Sequence, residues 1–253
     1  MDITSILGPL IGIGLVLLGQ AMEGGSITQL IQVTAALIVL GGSLGAVVNS
    51  FPLPVLINAV SMLKDVYGNI DVNYETTIQE LLQYAQKARK EGIISLEKDA
   101  KTASDPLMTM GLESVSDGSD PVLVKSMMEN QLSRLEEKVT AAAKVWESFG
   151  GYTPTLGIVG AVLGLIQVMQ NLNDPSKLGA GIAVAFVATI YGLIAANIFF
   201  IPFASKLKFK YQGLILKKEI IIEGILAIQA GESPALIERK LQSFLLENKK
   251  SEK

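Results

Sequence analysis

The segment Pro154–Phe203 constrains the fold of this chain more than any other. It holds two apolar runs of about 20 residues, the length that an α-helix needs to cross a bilayer, on either side of the polar turn Asn173–Leu178. Small residues recur three or four positions apart in both runs, a spacing that lets helix backbones approach closely in lipid. They are Gly157, Gly160 and Gly164 in the first run and Gly181, Ala185, Ala188, Gly192 and Ala195 in the second. The pattern predicts a membrane hairpin with one closely packed face on each helix.

The composition indicates an integral membrane protein. Hydrophobic residues make up 49% of the 253 residues and charged residues only 18%, and the mean hydropathy is +0.43. The chain has no cysteine and no histidine, which excludes disulfides, thiolate and imidazole metal sites, and Ser-His or Cys-His catalysis. A net charge of -3 argues against nucleic acid as the main partner. We therefore expect neither an enzyme nor a cofactor.

A first hairpin opens the chain over residues 1–50. Its first run resembles a secretory signal, but Met1-Asp2 is acidic rather than basic and a second apolar run follows at once, so we expect a retained membrane anchor. The second hairpin occupies residues 151–204. The four predicted spans cover about residues 3–22, 27–48, 154–172 and 179–203.

The remaining segments predict helices outside the bilayer. Phe51–Lys64 begins with two prolines and is too short to span, which favours an amphipathic helix on the membrane surface. Within residues 51–150, apolar periodicity predicts a helix over Tyr74–Lys90 and a long one from Pro121 that ends by Gly150-Gly151. Residues 205–253 form a tail that ends in a helix over Ser233–Asn248. The predicted fold class is all-α: a polytopic membrane protein with four transmembrane helices and a helical cytoplasmic domain.

The basic residues predict the orientation of the four spans. Of the 21 Lys and Arg residues, only Lys177 lies in either of the two turns that face away from the soluble segments. The positive-inside rule then places both termini and the large helical domain in the cytoplasm. Five lysines soon after the last span weigh most in this assignment: Lys206, Lys208, Lys210, Lys217 and Lys218.

The spans lack the groups that usually carry protons. They contain no Asp, Glu, Lys or Arg, whereas proton relays depend on ionisable side chains inside the bundle. The polar side chains of the second hairpin can line a path or bond a partner helix, but they cannot carry charge by protonation. They are Thr155, Gln167, Gln170, Thr189, Tyr191 and Asn197. If protons pass, a partner must supply the carboxylate. A passive scaffold and a substrate transporter stay open as alternatives, although no charged intramembrane site supports the transporter.

Three segments of the second hairpin, TPTLGIVGAVLGL, AVAFVATIYG and IFFIPFASKLK, together with KARKEGIISLEK in the loop, resemble the MotA/PomA family of flagellar motor stator subunits. The resemblance covers nearly the whole chain. It implies an ion-conducting, torque-generating subunit in the bacterial inner membrane, forming a homopentamer around two MotB-type chains. Each MotB-type chain has a single span that carries the proton-binding aspartate, which explains the missing acid.

The resemblance assigns ion-path and gating roles to Pro154, Ala161, Gly164, Thr189 and Pro202. In the mechanism we expect, a proton neutralises the partner's aspartate, and the partner's span shifts against the face that carries Ala161, Gly164 and Thr189. Pro154 is then a hinge that couples protonation to the cytoplasmic domain. Simpler interpretations remain: a proline that starts a helix at 154, one that ends a helix at 202, and a threonine bonded to its own backbone.

The same resemblance places the contact with the rotor protein FliG at Lys87, Arg89, Lys90 and Glu97. On spacing alone, these are an ordinary solvated surface group. Lys98 stands where sodium-type relatives often have an acid, so the charge pattern of the contact differs from theirs.

Ala161 also bears on the transported ion. Sodium-type relatives tend to have a threonine there, and an alanine lacks the oxygen that a hard cation requires, so we expect H+ rather than Na+. A sodium-driven, PomA-like stator is the alternative. A further alternative is an ExbB/TolQ-type protein, which uses proton flow to energise outer-membrane processes. Proteins of that type usually have three spans and an extracellular N-terminus.

Overall fold

The computed structural model describes residues 2–70, 72–173 and 175–251. Helices are the only regular elements in these ranges, which confirms the all-α prediction, and four of the helical stretches are long and apolar enough to cross a membrane. The α-helices, in chain order, are α1 (Ile3–Met22), α2 (Val33–Ala36), α3 (Gly42–Ser50), α4 (Leu53–Ser61), α5 (Leu63–Tyr67), α6 (Tyr74–Glu91), α7 (Glu97–Ala100), α8 (Pro106–Ser116), α9 (Pro121–Gln170), α10 (Pro175–Ile194), α11 (Ile201–Gln229) and α12 (Pro234–Ser251).

Two very long helices dominate the chain, and neither ends where the sequence suggested. α9 runs unbroken for 50 residues, so the predicted end at Gly150-Gly151 is wrong. α10 and α11 are joined by a π-helical turn over Ala195–Phe200, and the helix continues through Pro202. Gly150 remains helical because its missing side chain makes room for a neighbour: a Cβ there would lie 2.6 Å from Cγ1 of Ile201. The packing outweighs the roughly 1 kcal/mol by which glycine disfavours a helix.

The second span is irregular at its start. Ile27–Leu30 form a 3-10 turn, Ile31 and Gln32 are extended, and the regular helix begins only at Val33. A π turn over Leu37–Gly41 then joins α2 to α3. The span is therefore not the continuous helix over 27–48 that hydropathy predicted, since hydropathy reports apolar length and not hydrogen-bond pattern.

The chain divides into two compact units, of which unit one contains residues 1–69 and 138–209. Its spans expose large apolar side chains, as expected of surfaces that face lipid. The predicted single helix over Phe51–Lys64 is wrong in its continuity, because the chain breaks at Met62 into α4 and α5. One face of α4 is exposed and apolar at Leu53, Ile57 and Val60, which suits a helix on the membrane surface.

Unit two contains residues 70–137 and 210–253 and has a conventional apolar core. The side chains with the lowest exposure come from its α-helices and from one 3-10 turn: Leu81, Leu96, Met108, Leu112, Val124, Met128, Ile220, Ile221, Ile225, Ile237 and Leu241. α6 ends at Gly92 as predicted, and the two Asp-Pro steps cap α8 and α9 through Asp105 and Asp120. The predicted boundaries at residues 150 and 204 are not helix ends, because α9 and α11 both run on past them.

Candidate functional site

The two helices of the second hairpin meet along their small residues, within unit one. A Cβ at Gly164 would lie 2.7 Å from the carbonyl oxygen of Gly181, and one at Gly160 would lie 2.6 Å from the Cβ of Ala188. A Cβ at Gly192 would lie 2.5 Å from the carbonyl oxygen of Thr153. The backbones of α9 and α10 are therefore in direct contact, and no larger residue fits in this seam.

This packing corrects one expectation about the site. Gly164 is buried in the seam between α9 and α10, so it does not present a free face to a partner's helix. Ala161 and Thr189 differ from it, because each is only half-buried. The small-residue stripe closes the hairpin on itself, and only part of its edge is left for another chain.

Thr189 is bonded within its own helix. Its hydroxyl donates to the carbonyl oxygen of Ala185 at 3.3 Å, as the simpler interpretation of this threonine anticipated. The oxygen keeps its lone pairs for a further hydrogen bond. A ligand or water at this point would meet an acceptor and no charge.

Pro154 lies inside α9, so it does not start a helix. Because proline has no N–H, the carbonyl of Gly150 receives no helical hydrogen bond from position 154. The preceding residue, Thr153, is fully buried, and its hydroxyl has no hydrogen-bond partner among the residues that the structure describes. A helix that lacks one bond and buries one unpaired hydroxyl is weakened locally, and this weak point lies directly against Gly192 of the neighbouring span.

Pro202 is the second residue of α11 and is exposed, so its assignment as a helix end is also wrong. The π turn just before it widens the helix where the proline ring would meet the carbonyl of Ile198. Pro202 lines a half-open cleft of about 330 Å³ in unit one. The polar side chains of this cleft include Thr4, Asn197 and Lys206.

An aromatic cluster in unit one was not recognised in the sequence. Trp146 is buried, and its indole N–H donates to the carbonyl oxygen of Ala59 at 3.2 Å. Its ring centroid lies about 6 Å from the rings of Phe149, Phe200 and Phe203, and the Phe149 and Phe200 rings are 4.4 Å apart. The cluster joins α4, α9 and the end of the fourth span within unit one.

Asp2 has a structural role that the sequence did not reveal. Its side chain caps α1 through the N–H of Thr4, and its carboxylate lies 2.9 Å from Nζ of Lys206. The same ammonium donates to the hydroxyl of Thr4 at 2.6 Å, and the N–H of Asp2 donates to the carbonyl of Tyr67 at 2.8 Å. The start of the first span is thus tied to the residues just after the fourth.

The four charged residues assigned to the rotor contact lie in unit two and are not equivalent. Arg89, Lys90 and Glu97 are exposed. Lys87 instead lies 2.7 Å from the carboxylate of Asp99, and this carboxylate raises the pKa of the lysine. The charge of Lys87 is therefore largely neutralised within the chain.

A buried tyrosine, Tyr84, lies in α6, the helix that also carries Arg89 and Lys90. The hydroxyl of Tyr84 donates to Glu80 at 2.7 Å, and burial, followed by the neighbouring Glu80, raises the pKa of the phenol. Glu80 also accepts from the N–H and hydroxyl of Ser104. Among the described residues, no group of three His, Cys, Asp or Glu side chains could hold a metal ion.

Comparison with known proteins agrees with this architecture. The MotA/TolQ/ExbB proton channel family matches residues 99–220, and the family described as Motility protein A N-terminal matches residues 6–92. Motility protein A of Aquifex aeolicus is 39% identical over 97% of this chain and 97% of its own length. The chain belongs to the MotA/TolQ/ExbB proton channel family.

Two solved members of the family have the same fold. The structure of C. jejuni MotAB matches with a TM-score of 0.91 at 31% identity, covering 96% of both chains. The flagellar MotAB stator complex from Bacillus subtilis matches with a TM-score of 0.86 at 30% identity, covering 95% of both chains. The agreement extends over the spans and the helical domain alike.

Tyr191, one of the polar side chains of the second hairpin, has a structural role that the sequence barely signalled. Its hydroxyl donates to the carbonyl oxygen of Leu30 at 2.6 Å and accepts from the N–H of Gln32 at 3.2 Å. The hydroxyl therefore pairs with two backbone groups where the second span is extended. Backbone groups of a non-helical segment within a membrane need such partners, because no water is available to bond them. A lone tyrosine within an apolar run was the only hint of this role.

Proposed function

We propose that this chain is the ion-conducting, torque-generating half of a flagellar stator and works with a MotB-type chain that has one span. Its relatives named Motility protein A and its likeness to the MotAB stator structures make it a flagellar stator subunit. The observation that carries the proposal is the absence of Asp, Glu, Lys, Arg and His from all four spans. A proton channel needs a titratable group in the membrane, so the partner supplies an aspartate.

The receiving surface in this proposal is narrower than the sequence suggested. Gly164 is enclosed in the hairpin seam, which leaves the half-buried Ala161 and Thr189 as the candidates to face the partner's helix. An ionised carboxylate in hydrocarbon is strongly disfavoured, so adding and removing its proton changes which arrangement of the packed helices is stable.

Pro154 is the hinge in this mechanism. The missing N–H and the unpaired Thr153 hydroxyl make the helix easiest to bend at this point, where it touches Gly192. Motion at the hinge passes along α9 toward unit two, where Arg89, Lys90 and Glu97 contact the rotor protein FliG. Lys87 is a minor contributor, because Asp99 already neutralises it.

Protons rather than sodium ions are the proposed cargo, because Ala161 offers no side-chain oxygen. Both termini lie in the cytoplasm of a cell whose inner membrane holds a homopentamer of this chain. The pairing of Asp2 with Lys206 supports one part of this topology, since it places the start of the chain beside the lysines that follow the last span. The match to the Motility protein A N-terminal family argues against the ExbB/TolQ-type alternative.

Co-purification tests the proposal most directly. The tagged chain should retain a single-span protein that carries an intramembrane aspartate and a peptidoglycan-binding domain. Vesicles with both chains should conduct protons, whereas vesicles with this chain alone, or with the partner's aspartate changed to asparagine, should not. Recovery of a TonB-type partner would instead favour the ExbB alternative.

The ion and the topology have separate tests. Swimming should stop with a protonophore at constant sodium and should not require sodium. Because the chain has no cysteine, single cysteines report sidedness without background. Ser26→Cys should react with an impermeant maleimide from outside the cell, and Ser243→Cys should react only after permeabilisation.

A further inference from the structure

The turn between α6 and α7 is rigid and anchored in the core of unit two. α6 ends at Gly92, whose φ of +86° is a conformation that favours glycine. The hydroxyl of Ser95 donates to the Gly92 carbonyl at 2.6 Å, and the N–H of Ser95 donates to the same oxygen at 3.2 Å. Ile93 packs against the core, and Leu96 is completely buried. These bonds and contacts hold the backbone of the turn in one conformation.

The 3-10 geometry of Ile93–Leu96 determines which side chains point outward. In a 3-10 helix, side chains three positions apart lie one above the other. Ile93 and Leu96 form the inward pair. Ile94 and Glu97 are the corresponding outward pair: Ile94 is 76% exposed, and Glu97 is exposed beside it. A large apolar side chain thus lies next to a residue assigned to the rotor contact.

A single exposed isoleucine is ordinary on a protein surface. Ile94 differs by its place in the chain, because exposed residues of both charges lie within five positions of it: Arg89 and Lys90 at the end of α6 and Glu97 at the start of α7. In unit two, only Val122 is equally exposed among the large apolar residues that the structure describes. Val122 follows Asp120-Pro121 at the start of α9, where the nearest lysine, Lys125, pairs with Glu129.

We propose that Ile94 is the apolar anchor of the rotor contact, an inference that rests on the proposed function of this surface. The partner it fits is a protein surface with an apolar socket, an acidic group opposite Arg89 and a basic group opposite Glu97. Burial of Ile94 in the socket excludes water from the two charge pairs and strengthens them, as in interfaces where a desolvated centre carries most of the affinity.

Substitutions at Ile94 in the full stator complex test the proposal, with purified rotor protein as the binding probe. Ile94→Ser should weaken binding by about tenfold to a hundredfold, the equivalent of exposing one large apolar side chain. Ile94→Leu should bind within about threefold of the parent, because it keeps the apolar volume. Val122→Ser is the matched control and should leave binding unchanged. Because the chain has no other cysteine, Ile94→Cys can be labelled at one position with a thiol-reactive photo-cross-linker, and illumination should then cross-link it to the rotor protein.

The outcomes separate this inference from the function on which it rests. Arg89→Glu tests the rotor contact itself and should abolish binding and torque. If Arg89→Glu abolishes binding while Ile94→Ser does not, the anchor is refuted and the rotor contact stands. If neither change affects binding, the rotor contact at this surface is refuted as well. Equal losses for Ile94→Ser and Val122→Ser would also overturn the anchor, because they would indicate general damage to unit two.

Discussion

The hairpin seam of unit one and the core of unit two are built on opposite principles. In the seam, Gly160, Gly164 and Gly192 bring backbones into contact, and the spans carry no charge. In unit two, large side chains fill the core, and one nearly buried ion pair, Asp105 with Lys218, joins two of its helices. Water supplies a hydrophobic driving force for the core of unit two, whereas lipid supplies none between helices, so the seam depends on close packing.

The largest effect that would sharpen this contrast is expected at Asp105. Its carboxylate accepts from the N–H of Leu107 and from Nζ of Lys218, at 2.9 Å and 2.6 Å. Asp105→Ala leaves the ammonium mostly buried without a partner and should lower the free energy of unfolding of unit two by about 3–5 kcal/mol. Hydrogen exchange of the α8 amides in the purified chain measures it. Asp120→Ala removes an exposed cap and should cost about 1 kcal/mol, so equal losses would contradict the role of the ion pair.

A change in the seam should have the next largest effect. Gly164→Val forces side-chain atoms against the backbone of Gly181 and should destabilise the hairpin by about 1–3 kcal/mol or more, with loss of folded protein in membranes. Thermal unfolding in detergent measures the change. Gly14→Val is the control, because Gly14 is exposed and a Cβ there would meet no atom within 4 Å. If the control is equally damaging, close packing is not what distinguishes the seam.

Tyr191→Phe tests a hydrogen bond that joins two spans of unit one and satisfies non-helical backbone. It removes the bonds to Leu30 and Gln32 and should cost about 1–2 kcal/mol, seen as faster exchange of the Gln32 amide. Tyr152→Phe is the matched control: that hydroxyl pairs with the exposed Ser50 hydroxyl at 3.0 Å. Tyr152→Phe should change stability little. A larger loss for Tyr152→Phe than for Tyr191→Phe would contradict the role of the Tyr191 hydroxyl.

The smallest effect concerns pH and unit two. Partial desolvation, and then the charge of Glu136, raises the pKa of Glu219. A carboxyl whose pKa is higher in the folded state destabilises the fold when it is ionised, so unit two should gain stability as pH falls from above that raised pKa toward 4.5. Glu219→Gln should stabilise unit two at pH 7 by less than about 1 kcal/mol and remove this dependence, because solvent screens the site. Unfolding measured at pH 5 and pH 7 checks it, and an unchanged pH profile would contradict it.

The sequence predicted what depends on local pattern. Hydropathy correctly predicted four spans. The Asp-Pro steps predicted the helix caps at Asp105 and Asp120, and Gly92 predicted the end of α6. Prediction from the sequence failed where a residue's effect depends on a neighbour that is distant in the chain. Gly150, Pro154 and Pro202 normally interrupt helices, yet all three lie inside them because the surrounding packing holds the backbone helical.

The candidate site shows the same division. Composition alone established that the spans lack acids and that a partner must supply one if protons pass, because that inference requires only counting. Which of the small residues stay accessible was decided by the tertiary structure, since two small residues of one stripe look alike in sequence. Gly164 is enclosed by α10, whereas Ala161 remains half-exposed, and Lys87 is neutralised by Asp99 across the Gly92 turn. Exposure and pairing are properties of neighbours in space, and the order of residues does not contain them.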